Sequence, residues 1–139
     1  LTPFHVEIKS NTGDNILSLK RGATFLGFTP VDVFDENGSL VGKLNRKFRI
    51  GGAKIEMCDS NGQLICTLKG NLIGWEFTIS KDGQEWASIS KKWAGIGKEF
   101  FTSADNYVLS INNNVQKDDP ARILMLAAVL SIDFLLKEN

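Results

Sequence analysis

An apolar block near the carboxyl end, residues 123–136, constrains the fold of this chain more than any other feature. Asp118 and Asp119 lie just before the block and offer oxygens that can cap a helix, and Pro120 suits a first helical position. We therefore predict a helix over about residues 119–137. Because the block has no polar stripe, this helix has to be buried in protein or in a membrane.

The length of the block favours burial in protein. A transmembrane helix needs roughly 20 predominantly apolar residues, whereas this run has fourteen and contains Ser131 and Asp133. An ionised Asp133 in hydrocarbon would be unfavourable. We expect the helix to lie in a protein core, and the alternative is a short or tilted membrane anchor.

The length and composition of the chain limit which class of protein it can be. At 139 residues, with 42% hydrophobic residues, the chain suffices for one domain with a substantial core. Its 16 basic and 16 acidic residues cancel, so no global field draws it to nucleic acid or to anionic membranes. Cys58 and Cys66 flank a predicted turn without lying opposite each other, and we interpret them as reduced core thiols of an intracellular protein. Since the chain begins with Leu1, we expect an amino-terminally incomplete single domain, residues 1–139.

A repeated hairpin pattern fills the rest of the chain. Alternating apolar and polar residues run into a turn that contains Gly beside Asn or Asp, and the alternation then resumes. The turn glycines recur every 21 to 25 residues and are Gly13, Gly38, Gly62 and Gly83. A fifth, weaker hairpin is predicted between residues 98–102 and 107–111. The pattern predicts about ten strands arranged as a meander.

The hairpins and the helix together predict one architecture. A barrel of about 10–12 strands is wider than the eight-stranded kind that side chains can fill. The apolar helix would fill it, because burying each large apolar side chain contributes roughly 1.5–3 kcal/mol. The predicted fold is therefore mainly β with one helix: an antiparallel β-barrel of about 10–12 strands around its carboxyl-terminal helix, with amino-terminal strands missing.

Four segments carry a family signature. They are Ile-Ser-Lys-Lys-Trp-Ala-Gly-Ile at residues 89–96, Lys-Glu-Phe-Phe-Thr at 98–102, Ala-Asp-Asn-Tyr at 104–107 and Ser-Ile-Asp-Phe at 131–134. In this order and spacing they resemble the phospholipid scramblase family, and the resemblance covers nearly the whole chain. It implies a Tubby-like fold, shared with the LURP-one-related proteins of plants. It also implies phospholipid binding or calcium-triggered movement of phospholipids between leaflets.

The predicted position of the helix narrows this function. With the helix inside the barrel, no membrane-spanning element remains to carry a headgroup through hydrocarbon. We therefore predict binding of anionic phospholipid or phosphoinositide at the cytoplasmic face of a membrane, with a role in transbilayer phospholipid movement implied by the family. The alternative is a soluble Tubby-like scaffold or regulatory module that binds protein partners and transports no lipid.

The strongest local charge asymmetry lies in residues 40–55, which include five basic residues and no acidic one. Such a stretch suits an anionic headgroup. The alternative is a solvated strand edge that charge protects against aggregation. With a smaller second patch, the predicted lipid-binding residues are Lys43, Arg46, Lys47, Arg49, Lys54, Lys91 and Lys92.

The sequence offers few residues that could bind a metal ion. The family's proposed calcium segment corresponds to residues 103–114, where Asp105 is the one remaining carboxylate. Because calcium needs six to eight oxygen ligands, we predict a hairpin turn there in place of a calcium site, and no cofactor. The Asp-x-Asn-Gly segments at Asp35 and Asp59 lack the glutamate and flanking helices of an EF-hand, so we interpret them as turns as well.

Enzymatic chemistry has equally little support in the sequence. The single histidine, His5, is predicted on the polar face of the first strand, which leaves no Ser-His-Asp arrangement. The sequence also lacks the cysteine and histidine clusters of a zinc site and a glycine-rich phosphate loop. We therefore predict a protein that is not an enzyme and has no nucleic-acid partner.

Overall fold

The chain folds into ten β-strands and one α-helix, and a computed structural model describes residues 4–9, 12–21, 30–47, 52–71, 76–90, 99–102 and 107–136. The strands are β1 (Phe4–Lys9), β2 (Asn15–Arg21), β3 (Val31–Asp35), β4 (Leu40–Lys47), β5 (Ala53–Asp59), β6 (Leu64–Asn71), β7 (Glu76–Lys81), β8 (Gln84–Ser90), β9 (Glu99–Thr102) and β10 (Val108–Ile111). The helix, α1, is Ala121–Leu136. The predicted class, mainly β with one carboxyl-terminal helix, is confirmed.

All ten strands form one antiparallel sheet. Strands β1 to β8 follow chain order, and each pairs with the next. The fifth hairpin is present, but β10 pairs with β8 and places β9 at the edge, so the sheet departs from a simple meander. Within the described ranges no ladder joins β1 to β9. The sheet is therefore open there, and closure into a barrel stays a prediction.

Turn chemistry explains the hairpins. Gly38 and Gly62 have φ angles of 79° and 85°, a region that glycine enters without steric penalty. One carboxylate oxygen of Asp35 accepts hydrogen bonds at 2.9 Å from the backbone N–H groups of Asn37 and Ser39. Asp59 accepts the equivalent pair in the next hairpin, also at 2.9 Å. Both aspartates therefore hold turns together, as predicted.

Each of the first four hairpins also contains a β-bulge. The ladder shifts by one residue, and the residue without a partner lies three positions after the turn glycine. These residues are Ile16, Val41, Ile65 and Trp86. Because every one of these turns joins an odd-numbered strand to the next strand, all four lie at the same end of the sheet. We call it the turn end.

The helix begins at a side-chain cap. The N–H of Ala121 donates to Oδ1 of Asp119 at 2.9 Å, and the N–H of Arg122 donates to the carbonyl of Asp119 at 3.0 Å. Asp119 is thus the cap, as the sequence indicated, and Pro120 lies between the cap and the assigned helix. The helix starts at Ala121, two residues after the predicted bound, because the capping residue lies outside the helix it caps and Pro120 is assigned to the turn before it. The predicted end, Lys137, lies outside the described residues.

The helix packs on the sheet face formed by β2 to β5. Its most buried apolar side chains are Ala121, Leu124, Met125, Ala127, Ala128, Val129 and Ile132. Ile123, Leu126 and Leu130 are half-buried and pack against the same core. The predicted core helix is confirmed. None of the helices in the described part of the chain has the length and apolar character needed to cross a membrane.

The two cysteines are both buried, and each lies opposite a different residue of the β5–β6 hairpin. Cys66 is 1% exposed, and its sulfur is 3.7 Å from that of Met57, the residue opposite it. Burial, together with the charge of Asp119, raises the pKa of Cys66 to about 12. Cys58 lies opposite Leu64 and is also buried. Both thiols are free, as predicted.

Candidate lipid-binding surface

The structure describes four of the seven predicted lipid-binding residues. These are Lys43, Arg46, Lys47 and Lys54. The other three, Arg49, Lys91 and Lys92, and the predicted turn residue Asp105 lie outside the described residues. The surface can therefore be assessed on β4, β5 and their neighbours.

Three lysines form a row across the outer face of the sheet, near the end opposite the turns. Lys47 on β4 lies directly opposite Lys54 on β5, which lies directly opposite Lys69 on β6. Lys54 lies between buried Ala53 and Ile55, which places it on the outer face, and residues directly opposite it share that face. Since neighbouring strands are about 4.8 Å apart, the row spans about 10 Å. We call Lys47, Lys54 and Lys69 the lysine row.

The lysine row carries excess positive charge. Glu56 is the carboxylate that contacts it, with oxygens 3.8 Å from Nζ of Lys47 and 3.9 Å from Nζ of Lys54. Lys69 is exposed and makes no ion pair with any described residue. Like charges directly opposite each other destabilise a sheet. The row therefore costs the fold some stability and offers an anion three ammonium groups on one strip.

Lys43 and Arg46 do not extend this row. Nζ of Lys43 donates a hydrogen bond of 2.7 Å to Oδ1 of Asp32 on β3, so its charge is balanced locally. Arg46 lies opposite Ile55, which is fully buried, so Arg46 belongs to the inner face. Proximity in sequence thus grouped the row with Lys43, whose charge Asp32 balances, and with Arg46, which lies on the other face.

Lys69 is the residue that the sequence did not reveal. It lies fifteen positions after Lys54 and on the far side of a turn. An alternating pattern shows which face a residue takes but not which residue lies opposite it, and a one-residue change of register would move Lys69 to the other face. The bulge at Ile65 therefore has to be known before the row can be seen.

The scramblase family model matches residues 1–139, which is the whole sequence. The chain belongs to the scramblase family. The resemblance that four sequence segments indicated is thereby confirmed.

Two curated relatives give this scramblase-family chain its context. The altered inheritance rate of mitochondria protein 25 of Saccharomyces cerevisiae is 23% identical, over 95% of this chain and 52% of the relative. A phospholipid scramblase family protein of Schizosaccharomyces pombe is 22% identical, over 76% of this chain and 30% of the relative. The chain thus spans about half the length of the first relative and less of the second. No solved structure matches it, so the likeness to Tubby and LURP-one-related folds stays a prediction.

The chemistry of the surface in this scramblase-family chain is electrostatic. Lysine ammonium groups are compact point charges on flexible stems and suit phosphate oxygens without demanding one geometry. Among the described residues no group of three or more His, Cys, Asp or Glu side chains is placed to hold a metal ion.

His5 is exposed on β1, on the polar face where it was predicted. Its Nε2 atom is 3.9 Å from Oε1 of Glu7.

Proposed function

We propose that this scramblase-family chain binds anionic phospholipid at a membrane surface through the lysine row. The observation that carries the proposal is the register that sets Lys47, Lys54 and Lys69 side by side, with Glu56 as the carboxylate that contacts the row among the described residues. Near an anionic membrane each lysine contributes about 1 kcal/mol, so the row supplies on the order of 3 kcal/mol. Phosphate groups between the ammonium groups would also relieve their mutual repulsion.

The proposed location is peripheral, on the cytoplasmic face of a membrane. The name of the Saccharomyces cerevisiae relative refers to mitochondria, which makes mitochondrial membranes a target to test beside the plasma membrane. In this proposal the chain performs no covalent chemistry. Movement of lipid between leaflets is the further step that membership of the family suggests.

Sedimentation with liposomes tests the binding step. We expect the protein to sediment with vesicles that contain phosphatidylserine, to stay in solution with phosphatidylcholine alone, and to be released by salt, which screens exposed charges. Lys47→Gln, Lys54→Gln and Lys69→Gln should each weaken binding about fivefold, the equivalent of about 1 kcal/mol.

Lys9→Gln is the matched control, because Lys9 is an exposed lysine at the turn end of β1. The proposal is wrong if this variant loses as much binding as the row variants, or if all of them bind like the parent. Persistent capture of protein partners without vesicle binding would support the soluble scaffold instead.

Transport needs its own measurement. Leaflet exchange of a fluorescent phospholipid should be followed in phosphatidylserine vesicles, with and without calcium. Exchange that the row variants lose would support lipid movement by this surface. Binding without exchange would leave the lipid-binding proposal in place and overturn the transport step.

A further inference from the structure

A second surface lies at the turn end, between two hairpin tips. The ladder between β6 and β7 ends at Thr67 and Ser80, and beyond this pair the β5–β6 and β7–β8 tips separate. A cleft of about 70 Å³ opens between them. Residues 64–67 line one side of it and residues 80–82 line the other.

The β6 side of the cleft offers two features that suit an extended peptide. Leu64 is 55% exposed, and among the residues whose side-chain burial the structure describes the other exposed large apolar side chain is Ile16, at 41%. In addition, residues 64–66 of β6 have no strand partner on the β7 side within the described structure. A free strand edge beside an exposed apolar side chain is the arrangement to which extended peptides add as a further strand.

The charges around the cleft are mostly negative. Asp82 lines it, and Asp59 and Glu85 lie in the two hairpin tips. The charge of Asp119 adds to burial in raising the pKa of the Cys66 thiol, whose residue lines the cleft. Lys81 is the cation of the cleft wall, and its Nζ is 5.1 Å from the centre of the Trp86 ring. The cleft therefore favours a positively charged ligand and disfavours an anionic lipid surface.

We propose that this cleft binds an extended basic segment of a partner protein, which pairs with the free edge of β6 and packs an apolar side chain against Leu64. The peptide's basic residues face Asp59, Asp82 and Glu85. This site differs from the proposed lipid surface, since the side chains of the lysine row do not line the cleft.

A fluorescein-labelled peptide of sequence Lys-Val-Lys-Leu-Lys-Val-Lys is a suitable probe, because it alternates basic and apolar side chains. Fluorescence anisotropy should show binding that weakens as salt rises. The same peptide with Glu at every Lys position should not bind. Asp82→Asn keeps a residue that tolerates the φ of 51° at this position, and should lower both the affinity and its salt dependence.

Leu64→Thr tests the apolar contact. Losing one apolar anchor should weaken peptide binding about fivefold. Ile16→Thr is the matched control: it removes the other exposed apolar residue, also at the turn end but away from the cleft, and should leave the affinity unchanged. Urea unfolding of both variants shows whether each retains the parent's fold.

Amide shifts in a nitrogen-15 spectrum locate the bound peptide. Perturbation centred on residues 64–67 and 80–82 supports the proposal. Shifts centred on β1, which is an edge strand, would overturn it, and so would equal binding of the Glu peptide or equal losses in the Leu64 and Ile16 variants.

Discussion

Gly42 on β4 and Leu124 on the helix approach so closely that a Cβ atom added at Gly42 would lie 3.0 Å from Cδ2 of Leu124. The same atom would run into the carbonyl oxygen of Cys58 on β5, which belongs to the backbone and cannot rotate away. Gly42 is itself the residue that follows a bulge, at Val41. The hairpin repeat and the helix thus meet at a glycine whose missing side chain sets how near the helix lies.

We expect Gly42→Ala to destabilise the protein by about 1–3 kcal/mol, because the added methyl group overpacks this contact. Urea unfolding measures the loss. Ser60→Ala, at an exposed turn position, is the control and should change the free energy of unfolding by less than about 0.5 kcal/mol. A neutral Gly42→Ala would mean that helix and sheet are less tightly packed than the structure shows.

The lysine row predicts a variant that gains stability as it loses binding. Lys69→Gln removes a positive charge opposite Lys54 and should raise the free energy of unfolding by about 0.2–1 kcal/mol at low salt. High salt should abolish the gain, since the charges are exposed. Unfolding curves at two salt concentrations provide the check, and a gain that persists in high salt would point to packing.

The helix cap predicts a difference between two substitutions at one site. Asp119→Ala removes the oxygen that accepts from the N–H of Ala121 and should cost about 1 kcal/mol. Asp119→Asn keeps an acceptor and should cost much less. Asp118→Ala controls for loss of a neighbouring charge. Equal losses in the Ala and Asn variants at position 119 would show that charge, and not the hydrogen bond, stabilises this end.

Cys66 predicts alkaline sensitivity. Its thiol has a pKa of about 12 in the folded protein, against 9.0 without burial. Both states hold the proton below pH 9, whereas between pH 9 and 12 the unfolded chain loses it and the folded chain keeps it. The folded state then binds more protons, so stability falls as pH rises, by at most about 1.4 kcal/mol per pH unit.

Comparison with Cys66→Ala isolates this effect from the titration of lysines. The variant should be less stable than the parent near neutral pH, because a buried side chain has been shortened, but its stability should fall less steeply above pH 9. Parallel slopes in urea unfolding experiments across this range would contradict the prediction.

Local chemistry explains what could be predicted from the sequence. The positive φ of Gly38, the hydrogen bonds from backbone N–H groups to the carboxylate of Asp35 and the helix cap at Asp119 each involve residues only a few positions apart. Such interactions depend little on the rest of the molecule. For that reason the turns, the hairpins and the start of the helix agree with the predictions.

The order of the strands in the sheet was harder to predict from the sequence. The fifth hairpin was predicted from its pattern, but β10 lies between β8 and β9, and nothing local distinguishes this order from a meander. The alternation placed apolar residues inside without showing where each ladder shifts. A single bulge, at Ile65, decides which side chains lie opposite one another on β5 and β6.

By itself, the sequence determined a β-rich domain with a buried carboxyl-terminal helix, because turn chemistry, alternation and an unbroken apolar block act over short distances. The tertiary structure alone joined Lys47, Lys54 and Lys69 into one row and opened the cleft beside Leu64. Both surfaces depend on register and on the separation of neighbouring hairpins. These are relations between segments distant along the chain, and they arise only when the whole sheet packs against its helix.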